Sequence, residues 1–171
     1  MAWLMSPTHT SSPLVGIRPV VPADLPGLDA LLSALDGRSR YRRWFSEAID
    51  VHRAAAWAAH PEEKDAIGIV AAGPGGEIVG HAAAIPMGDG RGEVCFEVAA
   101  PWRHHGVAGR LLVELVRCGR QRGLRALVAE VLSENADMLA VLREYGPCRE
   151  HREDGVIELE LPIDGQDDRS A

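Results

Sequence analysis

The stretch from Glu93 to Leu112, Glu-Val-Cys-Phe-Glu-Val-Ala-Ala-Pro-Trp-Arg-His-His-Gly-Val-Ala-Gly-Arg-Leu-Leu, constrains this chain most. A run of strand character enters a turn of small residues, and from Gly106 the hydrophobic period becomes that of a helix. Ala108, Leu111, Leu112, Leu115, Cys118 and Gly119 share one face; Arg110, Glu114, Arg117 and Gln121 share the other, up to Gly123. Ala126 to Leu132 is then a nearly unbroken apolar run of strand length, as expected of a strand covered on both faces and parallel to the one before the helix. Strand, helix and strand make a βαβ unit. Gly106, Ala108 and Gly109 leave backbone N–H groups unobstructed where the helix dipole is positive, which is the make-up of an anion site; a tight strand-to-helix connection is the plainer alternative. No Gly-Lys-Ser/Thr follows, so this is not a Walker loop, and Gly106-x-Ala108 falls short of the dinucleotide fingerprint.

The rest of the sequence supplies a mixed α/β frame around that unit. Leu14 to Val20 reads as a short strand feeding a helix that starts near Pro22-Ala-Asp24 and carries Leu28, Leu31, Leu32 and Leu35. One further helical region is expected between Gly37 and Pro61, with Ser39 as a candidate cap, the aromatics Tyr41, Trp44 and Phe45, and the run Ala54 to Ala59. Ala66 to Ala72, Glu77 to Pro86 and Glu93 to Ala99 are separated by Gly-rich turns and read as three antiparallel strands. After the βαβ unit, Ser133 or Asn135 caps a shorter helix ending at Gly146-Pro147, and Val156 to Leu161 alternates as a last strand. The expected domain spans 14–163, with loose ends at 1–13 and 164–171.

Composition narrows the function classes. The 171 residues are 46% hydrophobic and 25% charged, an ordinary globular balance, and no apolar run reaches the roughly 18 residues of a membrane helix. With no secretory signal at the start, the expected place is the cytoplasm. Eighteen basic against 25 acidic residues give a net charge of −7, which argues against binding nucleic acid or an anionic membrane. Cys95, Cys118 and Cys148 have neither paired nor ligand spacing, so no disulfide framework and no metal site are expected.

Arg103-His-His-Gly106-Val-Ala108 resembles the Q/R-x-x-G-x-G/A pyrophosphate motif of the GNAT superfamily of acetyl-CoA-dependent N-acetyltransferases. Element order and spacing agree over nearly all of 14–163. The segments Arg38 to Ser46, Glu93 to Phe96 and Leu132 to Asn135 look most like the acetyltransferase domains of bacterial protein-lysine acetyltransferases. The resemblance implies a mostly antiparallel sheet of six or seven strands, flanked by about four helices, with the fourth and fifth strands splayed to admit the cofactor. It implies that Phe96, Glu97 and Val98 pair their backbone with the pantetheine arm. His104, His105, Gly106, Val107, Ala108 and Gly109 would cradle the pyrophosphate, with Arg103 and Arg110 at the rim. Asn135 would reach the pantetheine or hold its turn. Partners would be acetyl-CoA or CoA and an amine acceptor, protein lysine or small molecule. Dimers are common in such proteins, but no feature marks a pairing face.

Transfer from a thioester needs a neutral amine, so a base must take a proton. Glu93, Cys95 and Glu97 alternate onto one face of the fourth strand. Glu93 occupies the place of the glutamate proposed as base in the similar protein acetyltransferases; Glu130 matches a fifth-strand glutamate used elsewhere in the family. Glu97 is the third candidate, because neighbouring carboxylates in a cleft would raise one pKa. The plainer reading has these glutamates facing solvent or paired with arginines. The tyrosine that protonates the leaving thiolate in many members is replaced by Leu142, with Tyr145 three residues on, and the family's Gly-Phe reads Gly146-Pro147. A catalytically degenerate acyl-CoA sensor is therefore the alternative to an enzyme. Arg38, Arg40, Arg42 and Arg43 resemble the segment overhanging the acceptor site; if they serve there, they favour an acidic acceptor.

Overall fold

A computed structural model describes residues 15–164 except Glu47. The termini expected to be loose therefore lie outside the described residues, apart from Asp164. Seven strands form one sheet in the order β1-β2-β3-β4-β5-β7-β6: β1 Gly16–Pro19, β2 Ile67–Ala72, β3 Ile78–Pro86, β4 Arg91–Val98, β5 Ala126–Leu132, β6 Arg149–Glu153 and β7 Val156–Pro162. Every neighbouring pair is antiparallel except β4 and β5, which the helix α4 (Val107–Gln121) joins as the expected parallel βαβ unit.

Among the described residues, five α-helices flank the sheet: α1 Leu25–Ser33, α2 Gly37–Trp44, α3 Val51–Ala59, α4, and α5 Ala136–Tyr145. The region expected as one helix between Gly37 and Pro61 is two. Phe45 takes a left-handed conformation (φ 53°) that ends α2, and Asp50 restarts the chain by accepting the Arg53 N–H at 3.0 Å. The cap of α2 is Asp36 rather than Ser39; Ser39 supplies the N–H that the Asp36 carboxylate accepts at 2.7 Å. The strand β6 went unforeseen because Arg-Glu-His-Arg-Glu is exposed at every position and carries no apolar alternation; it pairs as a polar edge beside β7.

The sheet faces carry separate apolar clusters. On one, Leu111, Leu112 and Leu115 of α4 and Leu139 and Leu142 of α5 pack on Ala82, Ala84, Val94, Leu127, Ala129 and Val131. Gly80 lets α4 approach β3, since a Cβ there would lie 3.1 Å from Leu111 and 3.2 Å from Val107. On the other, Leu28, Leu31 and Leu32 of α1 and Ala55, Ala58 and Ala59 of α3 pack on Val70 and Ile78. The turn into α1 is fixed by Asp24, which is buried, accepts two bonds from Arg18 at 2.6 and 2.7 Å and takes the Val21 N–H at 2.9 Å. No helix among the described residues is long and apolar enough to cross a membrane.

Candidate active site in a splayed-strand cleft

Strands β4 and β5 pair over only three positions, Arg91 with Ala126, Gly92 with Leu127 and Glu93 with Val128, and beyond Glu93 they part. The gap opens a cleft of about 700 Å³ bounded by β4, β5, α2, the first turn of α4 and one side of α5. Ala99 donates its N–H to Val79 O, and Met87 to Arg91 O, both at 2.9 Å. Antiparallel bonding alternates, so Glu93, Cys95 and Glu97 carry the backbone bonds to β3. The N–H and C=O groups of Val94, Phe96 and Val98 turn instead toward the side that β5 vacates. Of these, the Val98 carbonyl accepts Arg103 Nε at 3.1 Å. Phe96 and the Val98 N–H are thus offered to the cleft, whereas Glu97, expected to pair its backbone there, is bonded to β3.

At the cleft floor, α4 begins without a side-chain cap. Gly106 is the cap residue at φ 74°, and the first helical bond is Arg110 N–H to Gly106 O at 3.1 Å. The N–H groups of Val107, Ala108 and Gly109 therefore precede the helix's own bonding and add to the positive end of its dipole. A Cβ on Gly106 or Gly109 would meet nothing within 4 Å, so the protein itself leaves that space open. His104 and Arg103 line the cleft, and Asn135, the N-cap of α5, faces them from β5's end. Two expected residues lie elsewhere: His105, expected in the cradle, is exposed outside the cleft lining, and Arg110, expected at the rim, reaches back to donate to the Val15 carbonyl at 2.8 Å. Arg103 is spent in part on architecture, since its Nη2 also donates to Ser39 Oγ at 3.0 Å and ties α2 to the end of β4.

The three candidate glutamates line the cleft in different states. Glu93 is exposed. Leu127, Ala129 and Val131 belong to the core under α4, so Glu130 projects from the opposite face of β5, exposed and directly across from Glu158 of β7. Glu97 is buried: one oxygen accepts Arg43 Nε at 2.9 Å and the other lies 2.7 Å from His81 Nδ1. Burial works to raise its pKa, but the Arg43 guanidinium and the His81 ring outweigh it and hold the carboxyl down to about 2. Proximity to Glu93 does not raise it, contrary to the sequence expectation, because α2 delivers a cation to that spot. A carboxylate so stabilised is a poor base. Because it only accepts, His81 Nδ1 carries the proton of that bond. His81 was missed as a site residue; the signal was a lone histidine in the apolar run of β3, which must find a partner on β4.

Burial pushes the Cys95 thiol up to about 11, so it is no thiolate at neutral pH. Leu142 sits in the core and Tyr145 packs against it; neither lines the cleft, whereas Asp137, Met138, Val141 and Glu144 of α5 do.

Residues 32–146 match the acetyltransferase (GNAT) family. The chain belongs to this family. It is similar to the GNAT domain of S. lividans PAT, with 30% identity, 86% of this chain and 90% of that one covered, and a TM-score of 0.74. A ribosomal-protein-alanine N-acetyltransferase from Brucella melitensis aligns at 24% identity over 85% of this chain and 97% of its own, TM-score 0.68. A GNAT phosphinothricin acetyltransferase from Sinorhizobium meliloti, solved in complex with AcCoA, aligns at 19% over 86% and 88%, TM-score 0.72. The last two show likeness of fold alone. None of the curated proteins compared matches the chain. As a GNAT acetyltransferase the protein is an acyltransferase, and its β4 and β5 part as the resemblance in sequence implied.

Proposed function

We propose that the protein transfers the acetyl group of acetyl-CoA to a primary amine, on a small molecule or a protein lysine, by direct attack with both substrates bound. The observation that carries this reading is the early end of β4–β5 pairing beside an uncapped, glycine-opened helix start. The residues fit the co-substrate. Amides of Val107, Ala108 and Gly109 suit a pyrophosphate, with His104 at the rim. Phe96 and Val98 offer an unpaired strand edge to the amide-bearing pantetheine arm, and Asn135 closes the far side. Acetyl-CoA supplies the activated acyl group.

Glu93 is the base in this reading. It is exposed at the last paired position of β4, where the strands part, so a carboxylate stands at the fork of the cleft with access to solvent. It takes a proton from the ammonium acceptor directly or through one water, leaving the neutral amine as nucleophile. The Val98 N–H is the donor available to the carbonyl oxygen as charge builds there. Glu130 is the second candidate, and Glu97 serves to hold Arg43. With no tyrosine in the cleft, the departing thiolate, whose conjugate thiol has a pKa near 8.5, is protonated by water.

That same lack favours one other reading, a catalytically degenerate sensor of acyl-CoA. Three cysteines without disulfides suit a reducing compartment, and we place the protein in the cytoplasm. Calorimetric titration of acetyl-CoA, followed by free-thiol assay against a panel of amines and lysine peptides, tests the reading. Binding with thiol release on one class of amine supports the transferase; binding without release on any supports the sensor; no binding overturns both.

A further inference from the structure

The α2 end of the cleft holds two guanidinium groups that acetyl transfer as such does not require. Arg42 and Arg43 are consecutive in the last turn of α2, and both line the cleft beside Glu93 and Cys95. They are held differently. Arg43 gives its Nε to Glu97 at 2.9 Å, lies 5.0 Å from the centroid of the Trp44 ring, and has the Cys95 sulfur as a further neighbour. Glu97 is in turn fixed by His81, so Arg43 is oriented by a buried pair and ring stacking together. An arginine has five N–H donors in a planar fork, and the bond to Glu97 uses only Nε. Arg42 is less satisfied: its Nε is shut off from solvent without a hydrogen-bond partner among the described residues. An atom closed to water is closed to a ligand too, so what Arg42 offers the cleft it lines is the charge of its guanidinium rather than that donor. Arg42 and Arg43 balance Glu93 and Glu97 in charge; with Glu93 matched to the ammonium of the acceptor, one positive charge is left in this corner.

We propose that the amine acceptor carries a carboxylate, which docks between Arg42 and Arg43 while its amine faces Glu93. Planar guanidinium groups match a carboxylate in shape as well as charge. Arg42 and Arg43 are then specificity residues for the acceptor, and Glu97 with His81 is a positioning pair for Arg43. The inference rests on the acetyltransferase reading for the place of the amine. A free amino acid-like compound and a lysine flanked by acidic residues present the same chemistry, and the probes separate them.

The test is calorimetric binding to the full chain saturated with CoA. The probes are amino acids from glycine to 6-aminohexanoate and glutamate, each with its methyl ester, and lysine peptides flanked by aspartate or by asparagine. At least one acid binds tenfold or more tightly than its neutral counterpart, and Arg42→Gln removes that preference without moving CoA affinity. Arg43→Gln does the same; since it strands Glu97, the double variant Arg43→Gln with Glu97→Gln serves where the single one does not fold. In turnover the loss appears as a raised KM with kcat little changed. A preference within the amino acid pairs marks a small-molecule acceptor, and one within the peptides marks a protein. Equal binding of acid and neutral forms throughout, or a preference that survives in the arginine variants, overturns the proposal. Failure of the acetyltransferase reading shows separately, as no affinity of the unaltered protein for CoA or acetyl-CoA.

Discussion

The Glu97 carboxylate and the His81 ring, direct partners across β4 and β3, meet at 2.7 Å with side-chain exposures of 3% and 1%. With Arg43 on the other oxygen, this carboxylate keeps its charge far from water. Its pKa is depressed in the fold, from the ordinary 4.5 to about 2, so the native state binds fewer protons than the unfolded chain between those values. The stability it contributes is complete above the ordinary carboxylate range and is lost as pH falls through about 2. Thermal unfolding followed from pH 6 to 2 is expected to show a falling midpoint in that window. Glu97→Gln is expected to flatten this part of the profile and to lower stability at pH 7 by about 3–5 kcal/mol, because Arg43 loses its counter-charge. Parallel profiles for the two proteins would count against the role given to Glu97.

Cys95 lines the cleft, yet its thiol is pushed up to about 11 by burial. Alkylation by iodoacetamide at that position is expected to be slow at pH 7.5, to quicken as pH rises toward 11, and to be suppressed by bound acetyl-CoA. Cys95→Ala is expected to keep turnover, since direct transfer forms no acyl-enzyme. Peptide mapping of the alkylated protein checks the first point and the thiol assay the second; an inactive, well-folded Cys95→Ala variant would argue for a covalent route.

Gly109 separates stability from binding. A Cβ there meets nothing within 4 Å, and alanine suits a helix better than glycine by up to about 1 kcal/mol. Gly109→Ala is therefore expected to raise the thermal midpoint by a degree or more while weakening acetyl-CoA about tenfold, a loss of about 1.4 kcal/mol. Unchanged affinity would move the pyrophosphate away from the first turn of α4.

Leu111 tests the packing that sets the cleft floor. It is fully buried where α4 crosses Gly80 of β3, so Leu111→Ala is expected to cost about 2–5 kcal/mol in urea unfolding. A cost below about 1 kcal/mol would mean that α4 is not fixed against β3 as described.

The parts of the molecule set by periodicity were legible in the sequence. Leu111, Leu112 and Leu115 define the buried face of α4, and the apolar run of β5 announces a parallel neighbour. Local chemistry that competes with a pattern was harder to read. Phe45 breaks a helical stretch by a single left-handed residue, and β6 forms from five exposed polar residues because β7 offers it an edge. In the site, Phe96, Val98 and Gly106 to Gly109, read as acting through the backbone, line the cleft. Side-chain assignments depended on tertiary neighbours. Arg110 is drawn to Val15 across 95 positions of sequence, and Glu97 changes from candidate base to counter-ion because Arg43, 54 positions away, lands beside it.

Glu93 is the base assigned to the transfer step, and its exposure means that Glu93→Gln leaves the fold undisturbed. The most direct measurement is the rate of thiol release by this variant on the best acceptor of the unaltered protein, with acetyl-CoA affinity measured on the same sample. The expected result is a rate lower by about 10²–10⁴, the usual share of a general base, at unchanged affinity. A rate within a few-fold of the unaltered protein would contradict it and remove Glu93 from the mechanism.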